Sequence, residues 1–210
     1  MKIKSASLIG LISACVILLS QFFYFTFSFI HVQFDGLDFW SKVSEVLFEL
    51  GWIGILIFFI SLYKKSKSTG ATKTTSVTLF ALVSVCVMVL CDTMNTALYL
   101  CDAHGSGLQT LTRISNVLWA LGWIGIITFF NSLYKNTKST PINSPTLIAL
   151  VSSCVLALRA LINITINIFN YVNGSDLMNG VMWYETSAVL GLLGWIGILI
   201  FFVSLYKSQQ

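Results

Sequence analysis

The segment LGWIGILIFFISLYKK at 50–65 returns as LGWIGIITFFNSLYKN from 121 and as LGWIGILIFFVSLYKS from 193. A string repeated this closely at three places, spaced by about 70 residues, commits the chain to building one structural unit three times. Each copy is a continuous apolar run that ends on Tyr63-Lys64, Tyr134-Lys135 or Tyr206-Lys207. Such runs are too long and too apolar for a strand and predict helices.

The rest of the chain fits that reading only in a bilayer. Of 210 residues, 56% are hydrophobic and only 10% are charged, whereas soluble domains carry about 25% charge. Six apolar runs, each able to cross a hydrocarbon core roughly 30 Å thick, predict helices near 5–31, 40–64, 75–101, 110–135, 145–171 and 181–206. The short connections leave no room for a nucleotide fold, a nucleic-acid module or a catalytic domain outside the membrane. The expectation is an all-α integral membrane protein, one membrane domain over 1–210, whose obligatory partner is the lipid bilayer.

Charge predicts sidedness. Lys2, Lys4, Lys64, Lys65, Lys67, Lys73, Lys135, Lys138 and Lys207 occupy the N-terminus, the second and fourth loops and the C-terminus, while the other loops carry Asp35, Asp38, Asp102 and Asp176 and no lysine or arginine. The positive-inside rule then puts both termini in the cytoplasm and loops one, three and five outside. The formal charge of +4 reports this topology, not affinity for nucleic acid. The opening MKIKSASLIGLISACVILLS has features of a secretion signal, but LISACV recurs as LVSVCV at 82–87 and LVSSCV at 150–155. The first helix is therefore expected to be retained.

Aligning Cys15 with Cys86 and Cys154, and Gly51 with Gly122 and Gly194, divides the chain into repeats near 1–70, 71–141 and 142–210. Each is a helical hairpin that crosses the membrane twice, so all three run the same way and predict a pseudo-threefold six-helix bundle. Mitochondrial carriers also use three two-helix repeats, but their Pro-x-Asp/Glu-x-x-Lys/Arg signature is missing from every odd helix here. The chain is not one of them.

In the repeated string, Trp52, Trp123 and Trp195 lie roughly 18 Å from the lysine that ends each helix, too deep for an interfacial belt. The flanking glycines, Gly51 and Gly54, Gly122 and Gly125, Gly194 and Gly197, predict close helix contacts with the indoles filling space beside them. Phe58 is expected to face lipid. The five cysteines read as packing residues.

The odd helices differ from one another, and there the polar residues gather. Equivalent positions read Ser13/Ser84/Ser152, Ser20/Cys91/Arg159, Tyr24/Asn95/Asn163, Ser28/Tyr99/Asn167 and His31/Asp102/Asn170. Steps of seven, four, four and three residues keep them on one helical face. Asp92 lies beside that face. The even helices add Glu45 and Glu49, with Lys42, Arg113 and Glu185 at an outer rim. Charges at this depth cost about 2.5–3.5 kcal/mol each and need partners. Arg159 is expected to pair with Glu49, Asp92 or Glu45, because its planar fork matches a carboxylate.

These columns predict a cavity lined by helices 1, 3 and 5, open to the outside and closed toward the cytoplasm. Its candidate ligand-binding residues are Arg159, Asp92, Glu49, Glu45, Asn95, Asn163, Asn167, Tyr24 and Tyr99. The function expected is that of a transporter or channel for a small polar solute or ion. The competing expectation is a non-catalytic membrane subunit, joined to a membrane partner or to further copies of itself. An enzyme is not expected: neither His31 nor His104 has a metal-ligand neighbour or a nucleophile and base beside it. No cofactor or metal is implied.

Overall fold

The computed structural model describes residues 3–29, 37–70, 72–101, 106–137, 140–173 and 181–209. They form six helices, α1 (Ile3–Phe29), α2 (Leu37–Ser68), α3 (Thr72–Leu100), α4 (Ser106–Asn136), α5 (Asn143–Asn173) and α6 (Val181–Lys207), with no strand among the described residues. All six are long and apolar enough to cross a membrane. The chain is a multi-pass membrane protein.

Several helices overrun the apolar stretches that predicted them. α2 carries its backbone hydrogen bonds past Lys64, Lys65 and Lys67 to Ser68. Apolar length marks where hydrocarbon ends, whereas a helix stops only where its backbone finds another partner. For α2 that point is Gly70, whose φ of 69° lets its N–H reach back to the Lys67 carbonyl. Pro145 sits in the first turn of α5, where its missing N–H costs no helical bond.

Each helix packs on its neighbours in sequence, and α1 packs on α6, so the six close into a ring. Among the described residues no other pair of helices packs backbone to backbone, although long side chains meet across the axis. Helix α5 therefore stands across the ring from α2, and neither α1 nor α3 packs directly against it.

Bare Cα atoms set the close approaches. Within each hairpin, a Cβ on Gly54, Gly125 or Gly197 would stand 1.9, 2.0 or 1.8 Å from the hydroxyl of Ser13, Ser84 or Ser152. One turn away, Gly51, Gly122 and Gly194 receive Ile17, Met88 and Leu156. The deepest serines of the odd-helix columns thus lie in helix seams. At the joint between α1 and α6, Gly10 receives the ring of Phe202, and the Ser7 hydroxyl donates to Gln209 Oε1 at 2.8 Å. Small residues promote this contact in lipid, where association depends on packing rather than on hydrophobic expulsion.

Aromatic side chains fill the axis. Trp52, Trp123 and Trp195 meet edge to face with centroids 5.8, 5.5 and 6.4 Å apart. Nearer the lysine-bearing end, Phe58, Phe59, Phe129, Phe130, Phe201 and Phe202 form a closed circuit of six rings, each 5.0–5.4 Å from the next. Edge-to-face pairs contribute about 0.5–1.5 kcal/mol each beyond their burial. Phe58, expected on the lipid face, is 3% exposed and belongs to this circuit: the Phe-Phe pair spans two directions, so both rings of each copy turn inward. Lipid is met by Leu50, Ile53 and Ile57 on α2 and by Leu121 and Ile124 on α4.

Candidate functional site

Above the tryptophans, on the side away from the lysines, lies a cavity of about 370 Å³. Its floor is Trp195 and Trp119, with Phe48 beside them. Leu156, Arg159, Asn163 and Asn167 climb one face of α5, and the exposed Asn167 brings the cavity to the surface. All six helices contribute to the wall, not only the odd ones. In a ring of alternating neighbours the even helices face the axis as fully as the odd, so Ser44 and Glu45 of α2, Asn116 of α4 and Ser187 of α6 enter as well.

Most of the candidates converge here. Arg159, Asp92, Glu45, Asn95, Asn163, Asn167 and Tyr24 line the cavity. Glu49 does not; it is buried beside Asp92, where the Thr93 hydroxyl donates to its Oε1. Tyr99 is exposed on the outer side of α3 and donates to Ser41 at 3.1 Å. Cys91 is buried without reaching the cavity. Lys42, Arg113 and Glu185 are partly buried and stand outside the lining. His31, Asp102 and the side chains of Ser28 and Asn170 fall outside the described residues.

Arg159 does not pair with a carboxylate. Its Nε donates to Ser187 Oγ at 2.9 Å and its Nη1 to Gln21 Oε1 at 2.9 Å. Ser187 on the neighbouring α6 and Gln21 on α1 hold the guanidinium on their side of the cavity, while the carboxyl groups belong to α2 and α3, which do not pack against α5. Guanidinium and carboxyl groups therefore stand on separate walls.

The same two levels of each hairpin are hydrogen-bonded. Ser20 and Ser44 each donate to the other's backbone carbonyl, at 2.9 and 3.1 Å, Ser115 donates to the Cys91 carbonyl at 3.1 Å, and Arg159 takes the Ser187 hydroxyl. Asn95 Nδ2 donates across to Asn116 Oδ1 at 3.2 Å. Several buried acceptors have no donor: Glu49 Oε2, Asp92 Oδ2 and Asn95 Oδ1. Among the described residues no three His, Cys, Asp or Glu side chains are grouped to hold a metal ion.

The columns overlooked Gln21, which is buried and anchors Arg159 from α1. It occupies the position equivalent to Asp92 in the first repeat, so the rule that picked out Asp92 as a polar residue beside the stripe also reaches Gln21. Ser44, Ser115 and Ser187 are another equivalent set, concealed because serine is unremarkable in a membrane helix. No protein-family model, curated protein or solved structure matches this chain.

Proposed function

We propose that this chain is a transporter-like membrane protein that admits a small polar solute from the outer face of the membrane into the cavity around Arg159. The reading takes the three hairpins as parallel repeats about a pseudo-threefold axis, with both termini and every lysine cluster in the cytoplasm. The axis is then polar in its outer half and aromatic in its inner half. A channel needs a continuous wet path, and the tryptophans and phenylalanines interrupt it, so binding followed by a change of access fits this axis better than free conduction. The role is binding and transfer, not catalysis.

The observation that carries the proposal is a cavity of about 370 Å³, within the size range of small-molecule sites, walled by an arginine and by carboxyl groups that do not pair with it. Intramembrane charges kept apart are costly unless something fills the space between them. A purely structural subunit would gain by pairing them.

Access is tested by cysteine labelling. Asn163→Cys in a background without native cysteines is exposed to a membrane-impermeant thiol reagent added outside intact cells. Leu161→Cys, on the same helix and 57% exposed toward lipid, is the control. Rapid labelling of the first and silence of the second are expected. A silent Asn163→Cys in folded protein means the cavity is dry and the reading is abandoned.

A further inference from the structure

The two walls of the cavity carry opposite kinds of group. On the wall of α2 and α3, Glu45, Asp92 and Asn95 line the space, with Glu49 behind them. On the facing wall, Arg159 has five N–H donors, of which Ser187 and Gln21 accept two. One wall offers carboxyl groups, the other a guanidinium with donors to spare. Neither α2 nor α3 packs against α5, and Ser187 and Gln21 hold the guanidinium on the far side.

We infer that the cavity takes a small zwitterion, with its ammonium on the Asp92 and Glu45 wall and its carboxylate on the Arg159 wall. This rests on the reading of the cavity as a solute site and names its substrate class. An ammonium brings three donors and no acceptor, which suits a wall lined by the carboxyl groups of Glu45 and Asp92. A carboxylate brings two acceptor oxygens to a planar fork, the geometry in which arginine binds it best. A simple anion would engage Arg159 and leave the carboxyl wall unused. A lone cation would leave the remaining Arg159 donors without acceptors. Phe48, Trp119 and Trp195 at the floor add aromatic faces able to meet an ammonium or an apolar side chain. The inner circuit of phenylalanines lies beyond this floor and takes no part.

The test uses the full chain in nanodiscs and reads the shift of its thermal unfolding midpoint. The probes are α-, β- and γ-amino acids, so that the spacing of the two charges varies. Each is compared with its methyl ester, which keeps the ammonium and loses the carboxylate, and with its N-acetyl form, which does the reverse. At least one free amino acid is expected to stabilise the protein, with both derivatives at least tenfold weaker. Arg159→Gln is expected to erase the preference for acid over ester, and Asp92→Asn to weaken the preference for free over acetylated amine.

The wild-type comparison stands even if a variant fails to fold. An ester or an N-acetyl form that stabilises as well as the free amino acid overturns the inference. So does a protein whose Asn163→Cys labels from outside but which no zwitterion of the panel stabilises; the cavity then stands and its substrate class is wrong. A silent Asn163→Cys with no stabilisation removes the underlying reading as well.

Discussion

The guanidinium of Arg159 rests against the bare Cα of Gly191: a Cβ added there would stand 2.2 Å from Nη1 and 2.5 Å from the Gln21 Oε1 that accepts its hydrogen bond. Positions equivalent to Gly191 in the other hairpins are Phe48 and Trp119, both rings in the cavity wall. Where the third hairpin lacks a ring, Arg159 and Gln21 occupy the room. The charge at the site and the glycine beside it are one structural choice.

Gly191→Ala therefore separates binding from folding. The atoms a methyl group would strike are the ends of two flexible side chains, so they can swing away while the helices stay. Alanine also favours a helix over glycine by about 1 kcal/mol. The unfolding midpoint is expected to stay within a few degrees of wild type, while stabilisation by the best amino acid falls at least tenfold, about 1.4 kcal/mol. Thermal unfolding with and without that amino acid reads both effects, and a loss of fold without ligand shows that Gly191 serves packing alone.

The seam glycines differ in how far their neighbours can yield. A methyl group on Gly51 would lie 2.3 Å from Cγ1 of Ile17, and one on Gly122 would lie 2.3 Å from Cγ of Met88. Ile17 is β-branched and held in one rotamer on its helix, whereas methionine is unbranched with three rotatable bonds. Gly51→Ala is expected to cost about 1–3 kcal/mol as an overpacked core does, and Gly122→Ala clearly less. Unfolding of the two variants side by side checks the order, and equal losses show that the seam is fixed by its backbone.

Thr93 supports Glu49. Its hydroxyl donates to Glu49 Oε1, and Glu49 Oε2 has no partner. Thr93→Val keeps the shape and removes that donor. Leaving a buried acceptor unsatisfied costs about 1–3 kcal/mol, so a loss of that size is expected in chemical unfolding. With Glu49→Ala already present, Thr93→Val is expected to cost much less, because the acceptor is gone. Equal costs in the two backgrounds show that the contact contributes nothing.

Much of this architecture is legible in the sequence because hydrocarbon is a strict solvent. Six long apolar runs can hardly be anything but spanning helices, and the glycines of GWIG had to mark contacts whose partners turned out to be Ser13, Ile17 and their equivalents. The candidate site is legible in part. Helical periodicity places Arg159, Asn163 and Asn167 on one face of α5, because a face is a local property. Which helices stand across from one another is not local. The expected pairing of Arg159 with a carboxylate assumed that groups at one depth meet, whereas Ser187 and Gln21 hold the guanidinium on the wall away from the carboxyl groups. Tyr99 misled for a related reason: by the fourth turn of the stripe the face has drifted, and its side chain leaves for Ser41 on α2. Phe58 was ambiguous in principle, since two adjacent rings on a helix point 100° apart and only the partner helices decide whether both turn inward.

The half of the axis nearer the lysine-bearing helix ends contains two aromatic layers in series. Trp195 is shared by the polar cavity above and by a small apolar void below, which Ile55, Ile126 and Ile198 complete between the tryptophans and the phenylalanines. An apolar void of this kind stays dry, and a dewetted constriction blocks ions and water without being sealed by contact. Removing the indole in Trp195→Ala joins the void to the cavity and leaves the circuit of six phenylalanines closed. Removing one ring in Phe58→Ala opens that circuit and leaves the tryptophans in place. Each single variant is expected to keep proteoliposomes as impermeable to water as wild-type protein does, and the double variant to raise osmotic permeability well above either. Stopped-flow light scattering measures it. If one substitution alone produces the full increase, a single layer bears the seal, and the layer that was removed identifies where a change of access must act.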